Sequence, residues 1–158
     1  LNIHWISGLI LTFLIAAHIV RSLFWQDFKS MLLTPKDFSE PFDSTSKPGK
    51  YYFEQKGMHW AATVVVLAVI VTGVLMFLQI DTPFWDRTNS MPEDQLGLVF
   101  LLHGLSTLAL VALASTHIYF ALRPEKIFYT RSMISGWMSE DELAANHDPA
   151  KWTPKEAE

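Results

Sequence analysis

Four of the six histidines form two pairs with the same spacing. His4 and His18 are 14 residues apart, and so are His103 and His117. In an α-helix this spacing places both imidazoles of a pair on one face, about 21 Å apart along the axis and about 40° apart in rotation. Imidazole nitrogens are common axial ligands of haem iron. Two such helices could therefore hold two haems, each between two imidazoles. No open iron position would remain, which suits electron transfer rather than oxygen chemistry.

Both pairs lie in long runs without Asp, Glu, Lys or Arg. Such runs cover residues 1–20, 57–80 and 95–122. Each is long enough to cross a hydrocarbon core about 30 Å thick. We therefore predict an all-α integral membrane bundle, residues 1–122, with three transmembrane helices over about 2–25, 58–80 and 96–122. An inner loop, 26–57, and an outer loop, 81–95, connect the helices, and residues 123–158 form a cytoplasmic tail.

The basic residues are unevenly divided between the two sides of the membrane. Six lie between residues 21 and 56 and five lie after residue 122, whereas loop 81–94 has only Arg87. The positive-inside rule then places the inner loop and the tail in the cytoplasm. We expect a multi-pass protein of the bacterial inner membrane. In this orientation His4 and His103 lie toward the outer face, and His18 and His117 lie toward the inner face.

The first and third predicted helices run parallel, because one crossing separates them. Side chains at equal depth then pair, His4 with His103 at the outer edge and His18 with His117 at the inner edge. Each haem iron would receive two axial nitrogens. A hydrogen bond to a neighbouring helix is the alternative role for a single membrane histidine. Four histidines in matched pairs favour haem binding.

Another set of polar residues lies near the predicted inner face, where it could contact haem propionates or a quinone. This set is Arg21, Lys56, His59, Ser115, Tyr119 and Arg123. Arginine and tyrosine at helix ends also serve as anchors in the headgroup region. For His59 an interfacial role is the favoured interpretation, and a quinone contact or a substitute haem ligand is the alternative. His147 falls on the polar tail outside the membrane and is not predicted as a ligand. Ser139 and Glu142 predict a capping box for a short helix over 140–146.

The composition excludes several other classes of site. The net charge of −4, from 12 Lys and Arg against 16 Asp and Glu, argues against nucleic-acid binding. The chain has no Cys, which excludes disulfides, thiolate zinc sites, cysteine-ligated iron–sulfur clusters and covalent haem attachment. A histidine-dependent metal or proton transporter is an alternative function, but it would predict a carboxylate within the spans. A haem-free membrane anchor is a further alternative.

Four segments carry a resemblance to a known family: FEQKGMHW, VTGVLMF, LLHGLSTLALVALASTHIYFAL and ISGWMSEDELAANHDPAKW. They resemble the cytochrome b (gamma) subunit of respiratory formate dehydrogenases and related prokaryotic di-haem membrane cytochromes b. The resemblance implies that His4 and His103 bind the outer haem b. It also implies that His117 binds the inner haem b, near a menaquinone or ubiquinone site.

The chain departs from that family in two places. The family has four helices, and the first, which would precede Leu1, normally supplies the fourth haem ligand. His18 stands where the family usually has an apolar residue, and we expect it to supply that ligand here. The tail has Asn146-His147 where the family has His-His, and it lacks the family's Trp-Ala step. These departures favour a general quinone-linked cytochrome b over a subunit of formate dehydrogenase proper.

We therefore expect a membrane-anchoring electron-transfer subunit rather than the dehydrogenase itself. It would pass electrons between an outer partner, an iron–sulfur or cytochrome subunit, and quinone in the lipid bilayer. The alternative within the same class is a quinol-oxidising cytochrome b that passes electrons to a c-type carrier.

Overall fold

The computed structural model describes residues 2–25, 28–42 and 47–152. Five α-helices lie in these ranges: α1 Asn2–Trp25, α2 Phe53–Phe77, α3 Glu93–Ala121, α4 Ile127–Ser135 and α5 Glu140–Asn146. Two 3₁₀ helices, Phe28–Met31 and Asp37–Phe42, lie between α1 and α2. No β-strand occurs in the described ranges, and the prediction of an all-α fold is confirmed.

The first three helices are long and apolar enough to cross a membrane. They contain 24, 25 and 29 residues, which corresponds to lengths of about 36, 38 and 44 Å. Large apolar side chains are exposed on all three, including Phe13, Val64 and Leu108, which are 72%, 65% and 68% exposed. Helices that are apolar on every side suit a lipid environment. The chain is therefore a multi-pass membrane protein, as the sequence predicts.

The helix α1 coincides with the first predicted span, whereas α2 and α3 begin before theirs. The helix α2 starts at Phe53 instead of about residue 58, and α3 starts at Glu93 instead of about residue 96. Both first turns contain acidic side chains, which the positive end of the helix dipole stabilises. The side-chain oxygen of Gln55 also accepts a hydrogen bond from the Tyr52 backbone N–H at 2.9 Å. The two helices thus continue beyond the uncharged runs into a polar region.

The described residues form two compact units. The first unit contains α1 together with Ala61–Leu113, and the second contains Phe28–Trp60 together with the chain from Ala114 onward. In the first unit Trp5 of α1 packs against Phe77 of α2, with ring centres 5.8 Å apart.

The connection from α2 to α3 is a compact loop within the first unit. Thr82 and Trp85 form an isolated antiparallel bridge, with the Thr82 N–H 2.8 Å from the Trp85 carbonyl. The Thr88 N–H donates to the Leu78 carbonyl at 2.9 Å, which ties the end of the loop back to the end of α2. The loop carries Phe84, which is 90% exposed. These bonds fix where α3 begins relative to α2.

The second unit is built around His147, which is only 1% exposed. Its Nδ1 lies 2.7 Å from the Gly49 carbonyl oxygen, and its Nε2 lies 3.0 Å from the Tyr129 hydroxyl. The Gly49 carbonyl can only accept, so Nδ1 carries the proton and Nε2 of the neutral ring accepts a hydrogen bond from the Tyr129 hydroxyl. Burial raises the pKa of Tyr129 above its usual value. The ring of Trp152 packs against His147 at 5.1 Å. The tail, predicted as a polar segment, thus binds closely to residues that precede α2.

The helix α5 has the predicted capping box. The Ser139 hydroxyl accepts from the Glu142 backbone N–H, and the Glu142 carboxylate accepts from the Ser139 backbone N–H. The helix covers Glu140–Asn146, so its predicted bounds are confirmed.

Candidate functional site

His4 of α1 and His103 of α3 lie side by side in the first unit. Their ring centres are 6.1 Å apart and their ring planes are nearly perpendicular, at 89°. Two imidazoles on opposite sides of one iron have ring centres about 6 Å apart, because each metal–nitrogen bond is about 2 Å long and each ring centre lies roughly 1 Å beyond its nitrogen. The structure therefore brings together the two histidines of the predicted outer pair, at a separation that fits a haem iron between them.

Thr72 of α2 is a third side chain at this place, and it is 7% exposed. Its Oγ1 lies 2.9 Å from Nδ1 of His103. The same oxygen lies 2.6 Å from the Ala68 carbonyl oxygen and 3.2 Å from that of Val69. The hydroxyl thus connects the backbone of α2 with one of the candidate ligands.

Sequence reasoning assigned no functional role to Thr72. A threonine next to a glycine in an apolar helix is usually a helix-packing feature. One signal could have identified it. The helices α2 and α3 are consecutive and antiparallel, so Thr72, near the end of α2, reaches the depth of His103, near the start of α3.

Gly73 allows the His103 ring to approach α2 closely. A Cβ atom at position 73 would lie 3.3 Å from Cε1 of His103 and 3.8 Å from its Nδ1. The first of these distances is tighter than about nine in ten real Cβ contacts, so even alanine at this position would displace the ring by a few tenths of an ångström. The missing side chain is therefore part of what positions His103.

The side chains at this place fit an iron that already carries an equatorial ligand set. Within residues 2–25, 28–42 and 47–152, no group of three or more His, Cys, Asp or Glu side chains could hold a metal ion. His4 and His103 offer two nitrogen ligands, which is the number that a haem iron needs to complete six coordination positions. The surrounding helices are apolar, as a porphyrin face requires.

The second predicted pair, His18 and His117, lies on the same two helices as the first. His4 and His18 both lie in α1, and His103 and His117 both lie in α3. The two histidines of each helix are therefore about 21 Å apart along its axis. The side chains of His18 and His117 are both exposed. His18 belongs to the first unit and His117 to the second, and their pairing stays a prediction.

Lys56, a candidate propionate or quinone contact, forms a nearly buried ion pair in the second unit. Its Nζ lies 2.8 Å from Oδ1 of Asp37 and 3.3 Å from the Leu32 carbonyl oxygen. The two charged side chains are only 11% and 9% exposed. Burial alone would raise the pKa of Asp37, but hydrogen bonds from Lys56 and Thr34 outweigh burial and hold that pKa below its usual value. The Lys56 ammonium is thus already bound within the protein.

The other candidate inner contacts differ in how accessible they are. Three lie in the second unit on α3 or just after it: Ser115, which is exposed; Tyr119, which is 64% exposed; and Arg123, whose guanidinium binds the Glu125 carboxylate through two nitrogens. His59 packs its ring edge against Trp60 at 5.8 Å. Arg21 lies in the first unit, beside an open groove on α1 lined by Phe13, Ala16, Ala17, Val20 and Trp25. The roles of these five residues stay predictions.

Comparison with known proteins agrees with the predicted resemblance. The family described as prokaryotic cytochrome b561 matches residues 1–136. The formate dehydrogenase cytochrome b556(fdo) subunit of Escherichia coli strain K12 is 30% identical over 116 residues, covering 70% of this chain and 51% of that protein. The formate dehydrogenase cytochrome b556 subunit of Haemophilus influenzae is 29% identical over 108 residues, covering 68% of this chain and 41% of that protein. The chain thus spans about half the length of the curated relatives it matches. No solved structure matches it significantly.

Proposed function

We propose, because the chain belongs to the prokaryotic cytochrome b561 family, that it is the electron-conducting membrane part of a quinone-linked oxidoreductase. Family membership makes it a membrane cytochrome b that binds haem b. The finer proposal is that it holds two haems, exchanging electrons with a partner subunit at one and with quinone at the other.

The observation that carries the proposal is the approach of His4 to His103. Two imidazoles with ring centres 6.1 Å apart, on two predominantly apolar helices, have the separation and chemistry of a bis-histidine haem site. Haem b, when bound, supplies one-electron chemistry at its iron. The chain's own contribution is to hold both rings in place, through α1 on one side and α3 on the other.

The second haem is proposed between His18 and His117. Both lie on α1 and α3, and each lies 14 residues after a histidine of the first pair. The helix α3 carries a histidine of both pairs. Nearby polar groups proposed to contact propionates or quinone are Arg21, His59, Ser115, Tyr119 and Arg123. Lys56 would act less directly, by holding residues 32–37 against α2.

The relatives and the charge distribution support a proposal for the partner and the orientation. The relatives are named as cytochrome b556 subunits of formate dehydrogenase, and we propose that this chain likewise serves a multi-subunit oxidoreductase. Its partner would be an iron–sulfur or cytochrome subunit at the outer face, near His4 and His103. Menaquinone or ubiquinone would react near His117. The bias of basic residues places the tail on the cytoplasmic side of a bacterial inner membrane.

Separate substitution of the histidines tests this proposal. His103→Ala should remove the outer haem and leave the inner one, because an iron with a single imidazole is poorly held. His117→Ala should remove the inner haem and abolish quinone exchange while sparing the outer haem. Reduced-minus-oxidised spectra and electron paramagnetic resonance of purified protein report each haem separately. Val111→Ala is a matched control, since Val111 lies on α3 between the two histidines and is 58% exposed.

The His18→Ala variant decides the fourth ligand. Under the proposal it should copy His117→Ala in haem content and spectrum. If it retains both haems, His18 is a packing residue and the fourth ligand comes from elsewhere. If His103→Ala retains both haems, the outer site itself is wrongly assigned.

A further inference from the structure

The hydrogen bonds of Thr72 determine which nitrogen of His103 carries the proton. A hydroxyl group has one proton to donate and two lone pairs to accept with. The Thr72 oxygen lies 2.6 Å from the Ala68 carbonyl oxygen and 3.2 Å from that of Val69. Two oxygens at 2.6 Å need a proton between them, and a carbonyl only accepts, so the Thr72 hydroxyl donates to Ala68. The contact of 2.9 Å between Thr72 Oγ1 and His103 Nδ1 must then be a bond in which Nδ1–H donates. The tautomer is thereby assigned from the hydrogen-bond network.

This tautomer leaves Nε2 of His103 as the nitrogen with a free lone pair. A neutral imidazole carries a single N–H, and the other nitrogen is the one that binds a metal. Histidines that bind metals usually donate their second ring N–H to an acceptor, which fixes the ring and strengthens it as an electron donor. The Thr72 hydroxyl is an acceptor of this kind, and its own proton is engaged by α2.

We propose that Thr72 is a positioning residue for the outer haem: it fixes the tautomer and rotation of His103, and its hydrogen bond raises the donor strength of that ligand. This inference rests on the proposed function, since it assigns Thr72 a role toward haem iron. Under it, α2 controls the electronic properties of the outer haem although it supplies no ligand to it. Gly73 contributes by allowing the ring to come within reach of the hydroxyl.

The side chain of Thr72 suits this role beyond the single bond. It is 7% exposed, so water does not compete for the hydroxyl. Its second bond, to Ala68, is a backbone contact within α2 and holds the hydroxyl oxygen at a fixed position. A hydroxyl that was free to rotate could donate to Nδ1 and select the opposite tautomer. The bond to Ala68 therefore gives the contact its direction.

The test compares Thr72→Val with Thr72→Ser in the full chain, in membranes or nanodiscs. Valine keeps the branched shape but removes the acceptor, whereas serine keeps the hydroxyl. Thr12→Val is a matched control, because the Thr12 hydroxyl also donates to the carbonyl four residues earlier, that of Gly8, at 2.8 Å. The readouts are the midpoint potential of each haem, by potentiometric titration, and the position of each low-spin electron paramagnetic resonance signal.

We expect Thr72→Val to raise the midpoint potential of the outer haem, because a weaker donor stabilises the ferric state less. The low-spin resonance of the outer haem should shift as well. The inner haem should keep its wild-type potential and resonance, and so should both haems of the Thr12→Val protein. Thr72→Ser should retain the wild-type values. Loss of the outer haem in Thr72→Val but not in Thr72→Ser would equally support a role of the hydroxyl.

Two results would overturn the inference. One is a Thr72→Val protein whose potentials and resonances equal those of the wild type. The other is an equal shift in the valine and serine variants, which would make the effect one of shape. Failure of the proposed function would look different, as wild-type protein without a b-type absorption band or as a His103→Ala protein that retains the outer haem.

Discussion

The ion pair between Lys56 and Asp37 provides a prediction that separates a structural role from a role in quinone binding. We consider Lys56→Met, which keeps the length of the side chain and removes the charge. It breaks the 2.8 Å contact with Asp37 and the 3.3 Å contact with the Leu32 carbonyl. The Asp37 carboxylate, 9% exposed, then loses its counter-charge.

Removing one partner of a buried ion pair typically destabilises a protein by about 3–5 kcal/mol. Asp37 keeps the hydrogen bond from the Thr34 hydroxyl at 2.9 Å, so we expect a value of about 3 kcal/mol, at the lower end. That corresponds to a loss of about a hundredfold in hydrogen-exchange protection, since each 1.4 kcal/mol is a factor of about ten. The loss should be confined to residues 32–37 and the first turns of α2.

The pH dependence follows from the direction of the Asp37 pKa. The pKa is lower in the folded chain than in the unfolded chain, so the carboxylate stabilises the fold fully above its unfolded value of about 3.9. This contribution disappears as the pH falls through the lower folded value. Protection of residues 32–37 should therefore be constant between pH 6 and 8 apart from the intrinsic exchange rate, and should fall only in acid.

Hydrogen exchange with mass spectrometry, performed in nanodiscs, measures the effect. The Asp37→Asn/Lys56→Met double variant is the control, and it should recover part of the protection because no unpaired charge remains. The reasoning is refuted if Lys56→Met keeps wild-type protection. If Lys56→Met keeps wild-type protection but loses quinone reactivity, Lys56 is a direct quinone contact instead.

Two further predictions concern the tail. His147→Ala should weaken the attachment of the tail by about 3 kcal/mol, because a cavity forms and two polar partners, the Gly49 carbonyl and the Tyr129 hydroxyl, lose their hydrogen bonds. Limited proteolysis of residues 136–147 should then accelerate. An unchanged rate of cleavage would contradict the packing. A C-terminal alkaline phosphatase fusion should be inactive, because the excess of basic residues predicts a cytoplasmic tail. An active fusion would reverse the predicted orientation and exchange the inner and outer haems.

The sequence predicts the three long helices because charged residues are expensive in hydrocarbon and are absent from three long runs. The helices α2 and α3 begin a few residues before the predicted spans. The reason is physical: a membrane helix continues into the headgroup region until a cap ends it, and acidic first-turn residues such as Glu54 and Glu93 extend the helix there. Absence of charge marks the hydrocarbon crossing rather than the helix.

The sequence also predicts the approach of His4 to His103, because parallel helices bring side chains of equal depth together. It does not reveal Thr72, since that contact depends on how α2 is rotated about its axis toward α3. It misses the burial of His147 for a similar reason. The surrounding tail is polar, and the bond from His147 to Gly49 spans 98 residues, a separation that no local pattern encodes. Periodicity and charge report on single helices, whereas these contacts arise from packing between distant segments.

The central claim is that one chain holds two haems b between two pairs of histidines, His4 with His103 and His18 with His117. The most direct measurement is the number of haems per mole of purified protein, by pyridine haemochrome absorption against quantitative amino-acid analysis. We predict two haems per chain, both low-spin in electron paramagnetic resonance. Replacing one histidine of a pair should reduce the occupancy of the haem between that pair to half or less. A value of one haem per chain would contradict the account and leave His18 without a role at the iron.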